Sequence, residues 1–103
     1  MVLWHATWYI DKDKVKDYTK LASDELIPFW MKQKGMKEFR AYRFAGTTKV
    51  LILIEFDSTE NWGKAMDNYN KSGLPEKFVM YTNHLEYTLY QNSPVIPEPL
   101  KPK

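Results

Sequence analysis

The residues best suited to proton transfer are a histidine and two glutamates on neighbouring strand-like segments. His5 lies in the first segment, and Glu38 and Glu55 lie in a hairpin over residues 36–56. The hairpin register predicts that Glu38 faces Glu55. Pairing of the first and third strands near their midpoints brings His5 close to Glu55, where a proton could be shared. We expect either a general acid/base group or a hydrogen-bonded or salt-bridged contact at a solvated sheet end.

Other polar residues share this face. Arg40 and Tyr42 lie side by side and could bind the carboxylate or phenolate of a ligand, although an intersubunit ion pair is the favoured interpretation. His84 and Glu86 point the same way from the last strand. Because His5 and His84 lie at opposite ends of their strands, we predict no metal site.

His84 and Glu86 are expected near Tyr9 and Thr7 rather than near His5, since the first and last strands run antiparallel.

A second candidate site consists of aromatic and sulfur-containing side chains that share the opposite, apolar face or the helices above it. Such residues could bind a flat hydrophobic molecule, or they could simply form the core. No GxGxxG, P-loop, nucleophile-elbow or HExxH motif occurs, so we expect no cofactor. The candidates are Trp4, Trp8, Trp30, Trp62, Met66, Phe78 and Tyr81.

A hairpin positions the first set of candidates. Strand-like runs flank Ala45-Gly46-Thr47-Thr48, which predicts a tight turn centred on Gly46-Thr47 with a positive φ at the glycine. This turn pairs apolar side chains on one face and mixed side chains on the other. The expected pairs are Arg43–Val50, Ala41–Ile52 and Phe39–Ile54, and then Tyr42–Leu51, Arg40–Leu53 and Glu38–Glu55.

The remaining elements follow from periodicity. Residues 2–10 alternate as a strand, and a stripe at spacings of three and four over residues 15–29 predicts a helix that Pro28 should kink or end. A second helix begins after Asp57-Ser58 and ends at Gly73. The last strand covers roughly residues 83–91.

The element order β-α-β-β-α-β predicts an α+β, ferredoxin-like fold with both helices on one face of an antiparallel sheet. The other face carries more large apolar side chains than a monomer usually exposes, so we predict a homodimer packed sheet to sheet. Residues 1–92 are expected to form one domain. Residues 93–103 are Pro-rich and are expected to form an extended tail that could wrap the partner subunit.

Two local patterns resemble those of the dimeric α/β-barrel superfamily, particularly its small antibiotic-biosynthesis-monooxygenase-like members. One is the passage from LIPFW into KGMKEFRAYR, and the other is the strand-to-helix junction LILIEFDSTENW. The resemblance covers roughly residues 2–91. It implies a ferredoxin-like subunit that dimerises into a barrel.

The resemblance also implies a small enzyme that acts on a hydrophobic, aromatic molecule, with a cofactor-independent monooxygenase as the leading form and a cyclase or isomerase as relatives. The alternative is a non-enzymatic ligand-binding or dimerisation module. Haem-degrading members resemble one another in an Asn on the first strand and a Trp and His near the second helix. Here the first strand has no Asn, and Ala65 lies nearer that Trp position than Trp62 does. The resemblance therefore does not favour haem degradation.

The composition is that of one ordinary soluble domain of 103 residues with 44% hydrophobic and 27% charged residues. A net charge of +2 without a basic run gives no reason to expect nucleic acid as a partner. No segment resembles a signal peptide or a transmembrane helix, and there are no cysteines. We therefore expect a cytoplasmic protein that does not bind membranes.

Overall fold

A computed structural model describes residues 1–102 of the chain, and its elements follow the predicted order. Short turns link the larger elements: a 3-10 turn at Lys12–Lys14 and a π-helical turn at Ala22–Leu26. The strands are β1 (Val2–Ile10), β2 (Met36–Arg43), β3 (Lys49–Phe56) and β4 (Thr82–Gln91), and the helices are α1 (Val15–Leu21), α2 (Ile27–Met31), α3 (Thr59–Lys71) and α4 (Leu74–Phe78).

The strands form one antiparallel sheet in the order β2-β3-β1-β4. This is the order of a ferredoxin-like fold, and the α+β prediction is confirmed. Alternation along each strand sends one set of side chains toward the helices, because successive strand residues point to opposite faces. We call this side the helix face and the opposite side the outer face. The buried core lies on the helix face and includes Trp4, Trp8, Ile54 and Phe56.

The hairpin register is confirmed at every predicted pair. Glu38 is opposite Glu55, Arg40 is opposite Leu53 and Ala41 is opposite Ile52. The turn itself lies one residue earlier than predicted. The Thr47 N–H donates to the Phe44 carbonyl at 3.1 Å, so the central residues are Ala45 and Gly46, and Gly46 has a φ of 76°.

Pro28 disturbs the first helical segment upstream of itself. The chain passes through the π-helical turn Ala22–Leu26 before α2 begins, and the Ile27 N–H donates to the Ala22 carbonyl five residues back. Proline has no N–H to donate, and its ring would meet the carbonyl four residues earlier. A wider turn accommodates both effects. Ala22 and Leu26 of this turn line the cleft that is described below.

Gly35 and Ser58 fix the entry of the chain into β2 and α3. Gly35 has a φ of 82°, and a Cβ there would come within 2.9 Å of the Asn61 Cβ. The Ser58 hydroxyl accepts a hydrogen bond from the Asn61 N–H at 3.1 Å and caps α3, as the cap-type residues predicted.

A bulge in β4 changes the position of His84. Thr7 pairs with Glu86, but Tyr9 pairs with Asn83, so the register shifts between them. His84 has a φ of 55°, an uncommon value for a residue other than glycine. Its ring lies 6.0 Å from the Tyr9 ring, on the side expected from the sequence.

Residues 92–102 contain no helix or strand, and Lys103, the last residue of the predicted tail, lies outside the described residues. The Asn92 side-chain amide donates to the Pro97 carbonyl at 3.1 Å, which turns this part of the chain back on itself. No helix among residues 1–102 is long and apolar enough to cross a membrane.

Candidate ligand-binding cleft

An apolar cleft of about 360 Å³ lies between the helix face of the sheet and the helices above it. The sheet contributes Trp4 and Trp8 from β1 to its floor, together with smaller residues of β2 and β3. The helices contribute Tyr18, Trp30 and Met66 to its walls. The volume falls within the range typical of small-molecule sites, roughly 300–1,000 Å³.

Aromatic rings make up a large part of the cleft wall and pack against one another. The Trp4 and Trp30 ring centroids are 5.1 Å apart, and Trp30 stacks on Tyr69 at 5.1 Å. Trp8 meets Phe78 edge to face at 5.0 Å. Packed rings of this kind have few accessible rotamers, so the cleft offers rigid flat surfaces that match a flat ligand.

The lining residues that the structure describes include no acidic, basic or histidine side chain. The lining residues with polar side-chain atoms are neutral: Tyr18, Tyr69, Asn70, Trp4 and Trp8, of which the two tryptophans have buried indole nitrogens. Burial raises the pKa of Tyr18 to about 12 and that of Tyr69 to about 12. Both phenols are therefore protonated at neutral pH and can donate hydrogen bonds but cannot act as bases.

The cleft opens where β4 forms the uncovered edge of the sheet. Leu85 is 48% exposed and Tyr87 is 57% exposed, although both face the helix side. Ile27 and Val79 complete an apolar mouth. An opening of this kind gives a hydrophobic ligand a path from solvent to the floor of the cleft.

The acid/base candidates lie on the outer face. Arg40 forms an ion pair with Glu38 and lies 3.5 Å from the Tyr42 hydroxyl. Glu55 lines the same shallow pocket of about 280 Å³ and, within residues 1–102, forms no ion pair. The structure thus brings Glu38, Arg40, Tyr42 and Glu55 together, as the register predicted.

His5 is less central than the midpoint pairing suggested. Its direct partner on β3 is Leu53, while Glu55 is opposite Leu3, so His5 and Glu55 are diagonal neighbours. The His5 ring packs against Tyr90 at 5.7 Å. Among residues 1–102 no hydrogen bond joins His5 to either glutamate. Proton sharing between His5, Glu55 and Glu38 stays a prediction.

The aromatic candidates divide into two groups. Trp4, Trp8, Trp30, Met66 and Phe78 line the cleft, while Trp62 and Tyr81 pack against the core outside it. Tyr69 and Asn70 line the cleft although they were not among the sequence candidates. Tyr69 belongs to the same helical stripe as Met66, which is the signal that could have identified it.

His84 and Glu86 lie on the outer face at the β4 bulge, away from the cleft. Within residues 1–102, no group of three or more His, Asp or Glu side chains is arranged to hold a metal ion.

Solved structures with the same fold are known, although the sequence matches no protein-family model and no curated protein. A Deinococcus radiodurans protein whose name proposes an antibiotic biosynthesis monooxygenase has a TM-score of 0.82 at 12% identity, covering 100% of this chain and 99% of that one. SnoaB, a cofactor-independent oxygenase from Streptomyces nogalater, has a TM-score of 0.72 at 13% identity, covering 94% and 97%.

A NIPSNAP domain protein from Burkholderia xenovorans is similar as well, with a TM-score of 0.70 at 15% identity and coverage of 95% and 100%. These likenesses show that the chain has the ferredoxin-like fold of antibiotic-biosynthesis-monooxygenase-like proteins. At such low identity they show the fold alone.

Proposed function

We propose that this protein binds a flat, uncharged aromatic molecule in the helix-face cleft. The observation that carries the proposal is the cleft itself: about 360 Å³, walled by rings and free of charged side chains among its described lining residues. A charged ligand group would lose its hydration there without gaining a partner. A flat neutral ligand buries apolar area against rigid rings at little entropic cost.

The activity we propose is cofactor-independent oxygenation, supported by the fold shared with SnoaB. A ligand C–H bond loses its proton, and the carbanion gives one electron to O₂. The resulting radical and superoxide combine as a peroxide anion. This anion takes a proton from water to become a hydroperoxide, which loses water to leave a new carbonyl. One oxygen atom of O₂ enters the product and the other enters water. Loss of hydration makes the carbanion harder to form in the cleft, but it makes the carbanion a stronger reductant toward O₂ once it has formed.

The proton's destination follows from the lining residues. Tyr18 and Tyr69 keep their own protons at neutral pH because burial raises the pKa of each to about 12. The proton therefore leaves through the open mouth to water or buffer. Only a ligand that is already acidic at carbon, such as an anthrone, meets this requirement, because the cleft provides no strong base.

An oxygen electrode tests the activity with anthrone, which should yield anthraquinone and one water per O₂ consumed. Ala41 lines the cleft, and its partner across the hairpin is Ile52. Ala41→Trp should fill the cleft and lower both binding and oxygen uptake by about tenfold or more. Tyr42→Trp is the matched control, since the next residue points to the outer face and should change neither.

The three outcomes separate the candidate functions. Oxygen uptake that Ala41→Trp abolishes supports the oxygenase. Anthrone binding without oxygen uptake supports a non-enzymatic ligand-binding module. Absence of both binding and uptake in the unaltered protein contradicts the proposed function and leaves a dimerisation module.

We also propose that the protein forms a homodimer through the outer face. Tyr9, Tyr42 and Phe44 are exposed there, and Leu51 and Leu53 are only half-buried. A second copy of the same face would cover these side chains and remove them from water. Native mass spectrometry, stepped from gentle to denaturing conditions, should show a dimer, and a monomer throughout would contradict the proposal.

The tail is proposed to contribute to this dimer. Val95 and Leu100 are strongly exposed and have apolar surface to bury against a partner. Deletion of residues 93–103 should raise the dimer dissociation constant, measured by sedimentation equilibrium. An unchanged dissociation constant would show that the tail has no part in association.

A further inference from the structure

β4 contains one residue more than the pairing with β1 requires. Asn83 and Glu86 are three positions apart, but their partners on β1 are only two positions apart. Trp8 of β1 therefore faces two residues of β4, His84 and Leu85. An extra residue of this kind bends its strand and increases the local twist, and such bulges are frequent beside active sites, where they redirect side chains.

The extra residue determines which β4 side chains point to the helix face. Thr82 is opposite Ile10 and is 9% exposed, and its hydroxyl donates to the Phe78 carbonyl at 2.8 Å. Leu85, three residues later, also points to the helix face and lines the cleft. Regular alternation would send residues three apart to opposite faces. The bulge therefore allows both parts of β4 to contact the helix side of the molecule.

The backbone of His84 is strained. Its φ of 55° lies in the left-handed region, where the Cβ of a residue other than glycine crowds the following carbonyl oxygen. Within residues 1–102, His84 is the one residue other than glycine with a positive φ. Strain of this kind persists only where the surrounding structure holds the residue in place, and it occurs mainly at functional sites.

A chain of side-chain hydrogen bonds holds the bulge. The Asn83 amide nitrogen donates to the Asp11 carboxylate at 2.5 Å, and the Asn83 amide oxygen lies 2.6 Å from Nδ1 of His84. Because an amide oxygen can only accept, Nδ1 of His84 carries the proton. Asp11 is itself fixed, since its backbone N–H donates to the Tyr81 carbonyl at 2.9 Å. We call Asp11, Asn83 and His84 the clasp.

The part of β4 that follows the bulge forms the mouth of the cleft. Leu85 is 48% exposed and Tyr87 is 57% exposed, although both line the cleft. Farther away on either side of the bulge, Thr82 is buried and Leu89 packs against the core. β4 is an edge strand that pairs with β1 alone in the described sheet. A bend in β4 therefore moves the mouth residues without disturbing a second neighbouring strand.

We propose that the clasp positions the mouth of the cleft. It holds the β4 bulge, and the bulge keeps Leu85 and Tyr87 away from the helices so that a ligand can enter. In a straight β4 these two side chains would close over the opening. The clasp residues do not line the cleft, so they act on the rates of entry and release and not on contacts with the bound ligand. This inference rests on the proposed function.

Deletion of His84 tests the role of the bulge. The deletion removes the extra residue without moving the pairing on either side, because Asn83 and Glu86 keep their β1 partners and Leu85 alone then faces Trp8. A straight strand should narrow the mouth and leave the floor of the cleft unchanged. A ligand should then enter and leave more slowly while its affinity stays nearly the same.

Stopped-flow tryptophan fluorescence of the full chain measures both rates with anthrone as the probe, under argon so that the probe is not oxidised. Three tryptophans line the cleft and report on its occupancy. The association and dissociation rate constants should both fall about fivefold or more in the deletion variant. The dissociation constant, which is their ratio, should change by less than about twofold.

Substitutions test the clasp with every residue of β4 in place. Asn83→Ala removes both hydrogen bonds of the clasp, so the open mouth is populated for less of the time and both rate constants should fall about threefold. His84→Gly in the same background should restore them, because glycine adopts a positive φ without support. His84→Gly alone is the control and should change neither rate constant by more than about 1.5-fold.

The outcomes separate this inference from the proposed function. If anthrone does not bind the unaltered protein, both fail. If anthrone binds and neither the deletion nor Asn83→Ala slows its entry, the inference is overturned while the proposed function stands. Weaker binding without slower entry would also overturn it, because it would show that these residues shape the cleft itself. Slower entry and release that His84→Gly restores in the Asn83→Ala background supports the inference.

Discussion

The two faces of the sheet differ more than the two sides of a single four-stranded layer usually do. The helix face carries tryptophans, aliphatic residues and a cleft without charged side chains among the residues described. The outer face carries His5, Glu38, Arg40 and Glu55 beside exposed rings. The same strands supply residues to both faces, since alternate residues point in opposite directions. Binding surface and ionisable groups are therefore separated by the backbone of the sheet.

This separation has a consequence for the chemistry. A molecule in the helix-face cleft cannot reach His5, Glu38 or Glu55 of the same subunit, because the sheet lies between them. An acid/base role for these residues requires a ligand on the outer face. In the dimer we propose, the same residues would instead meet a second copy of the outer face.

The prediction with the largest expected effect compares the packing of a phenylalanine on each face of the sheet. Phe56 is 0% exposed on the helix face, and Phe44 at the hairpin turn is 42% exposed. Phe56→Ala should lower the free energy of unfolding by about 3–5 kcal/mol, because it leaves a cavity in the core. Phe44→Ala should lower it by about 1 kcal/mol or less. Urea denaturation measures both, and equal losses would contradict the assignment of the core to one face.

Phe44 also tests whether the outer face is exposed in a monomer or covered in a dimer. Lys49 lies over its ring at 4.8 Å and over the Tyr9 ring at 5.5 Å, so Phe44→Ala removes one cation–π contact as well. Such an exposed contact contributes about 0.5–1 kcal/mol. A larger loss that depends on protein concentration would indicate that Phe44 is covered in a dimer.

A prediction of intermediate size tests whether the ionisable groups of the outer face take part in ligand binding. His5→Ala combined with Glu55→Gln should change the anthrone dissociation constant by less than about twofold, since both side chains point away from the cleft. Equilibrium dialysis measures the constant directly. A tenfold weakening would place the ligand on the outer face and would restore the acid/base hypothesis for these residues.

The smallest expected effect concerns Asp57, which follows β3 where the chain passes from the sheet into α3. A hydrogen bond donated by the Asn61 side-chain amide, at 2.8 Å, is the main reason that the pKa of Asp57 lies below its usual value of 3.8. A carboxyl group with a lowered folded-state pKa stabilises the protein above its unfolded-state pKa. That stabilisation is lost as the pH falls through the folded-state pKa.

Asn61→Ala should therefore lower the urea midpoint slightly near pH 7, and the pH-dependent part of this difference should vanish below the folded-state pKa of Asp57. Asp57→Asn is the control, because it removes the titrating group and should make the effect of Asn61→Ala independent of pH. A difference that grows as the pH falls would show that the hydrogen bond does not favour the carboxylate.

Much of the fold could be predicted because its signals are local. The hairpin register followed from alternation on both sides of one glycine turn, and the Ser58 cap followed from residue type. Pro28 predicted a disturbance in the helix, although not its form as a π-helical turn upstream. The bulge that displaces His84 had no counterpart in the sequence pattern, since alternation through residues 83–91 is nearly regular.

The candidate site was only partly predictable. The structure places Trp4, Trp8, Trp30, Met66 and Phe78 in the cleft lining, and their role in binding stays a prediction. Sequence alone could not separate cleft from core, and it placed Trp62 with them. The offset of His5 from Glu55 depends on the register in which β1 pairs with β3. That offset is set by packing between segments far apart in the chain.

The sequence by itself determined which side chains share a face, because strand and helix periods are properties of the backbone. It thereby determined that Trp4 and Trp8 would lie on the opposite side of the sheet from His5, Glu38 and Glu55. Only the tertiary structure decided that the rings leave a cleft rather than close into a solid core. Cavities depend on the distances between helices and sheet, which no local pattern specifies.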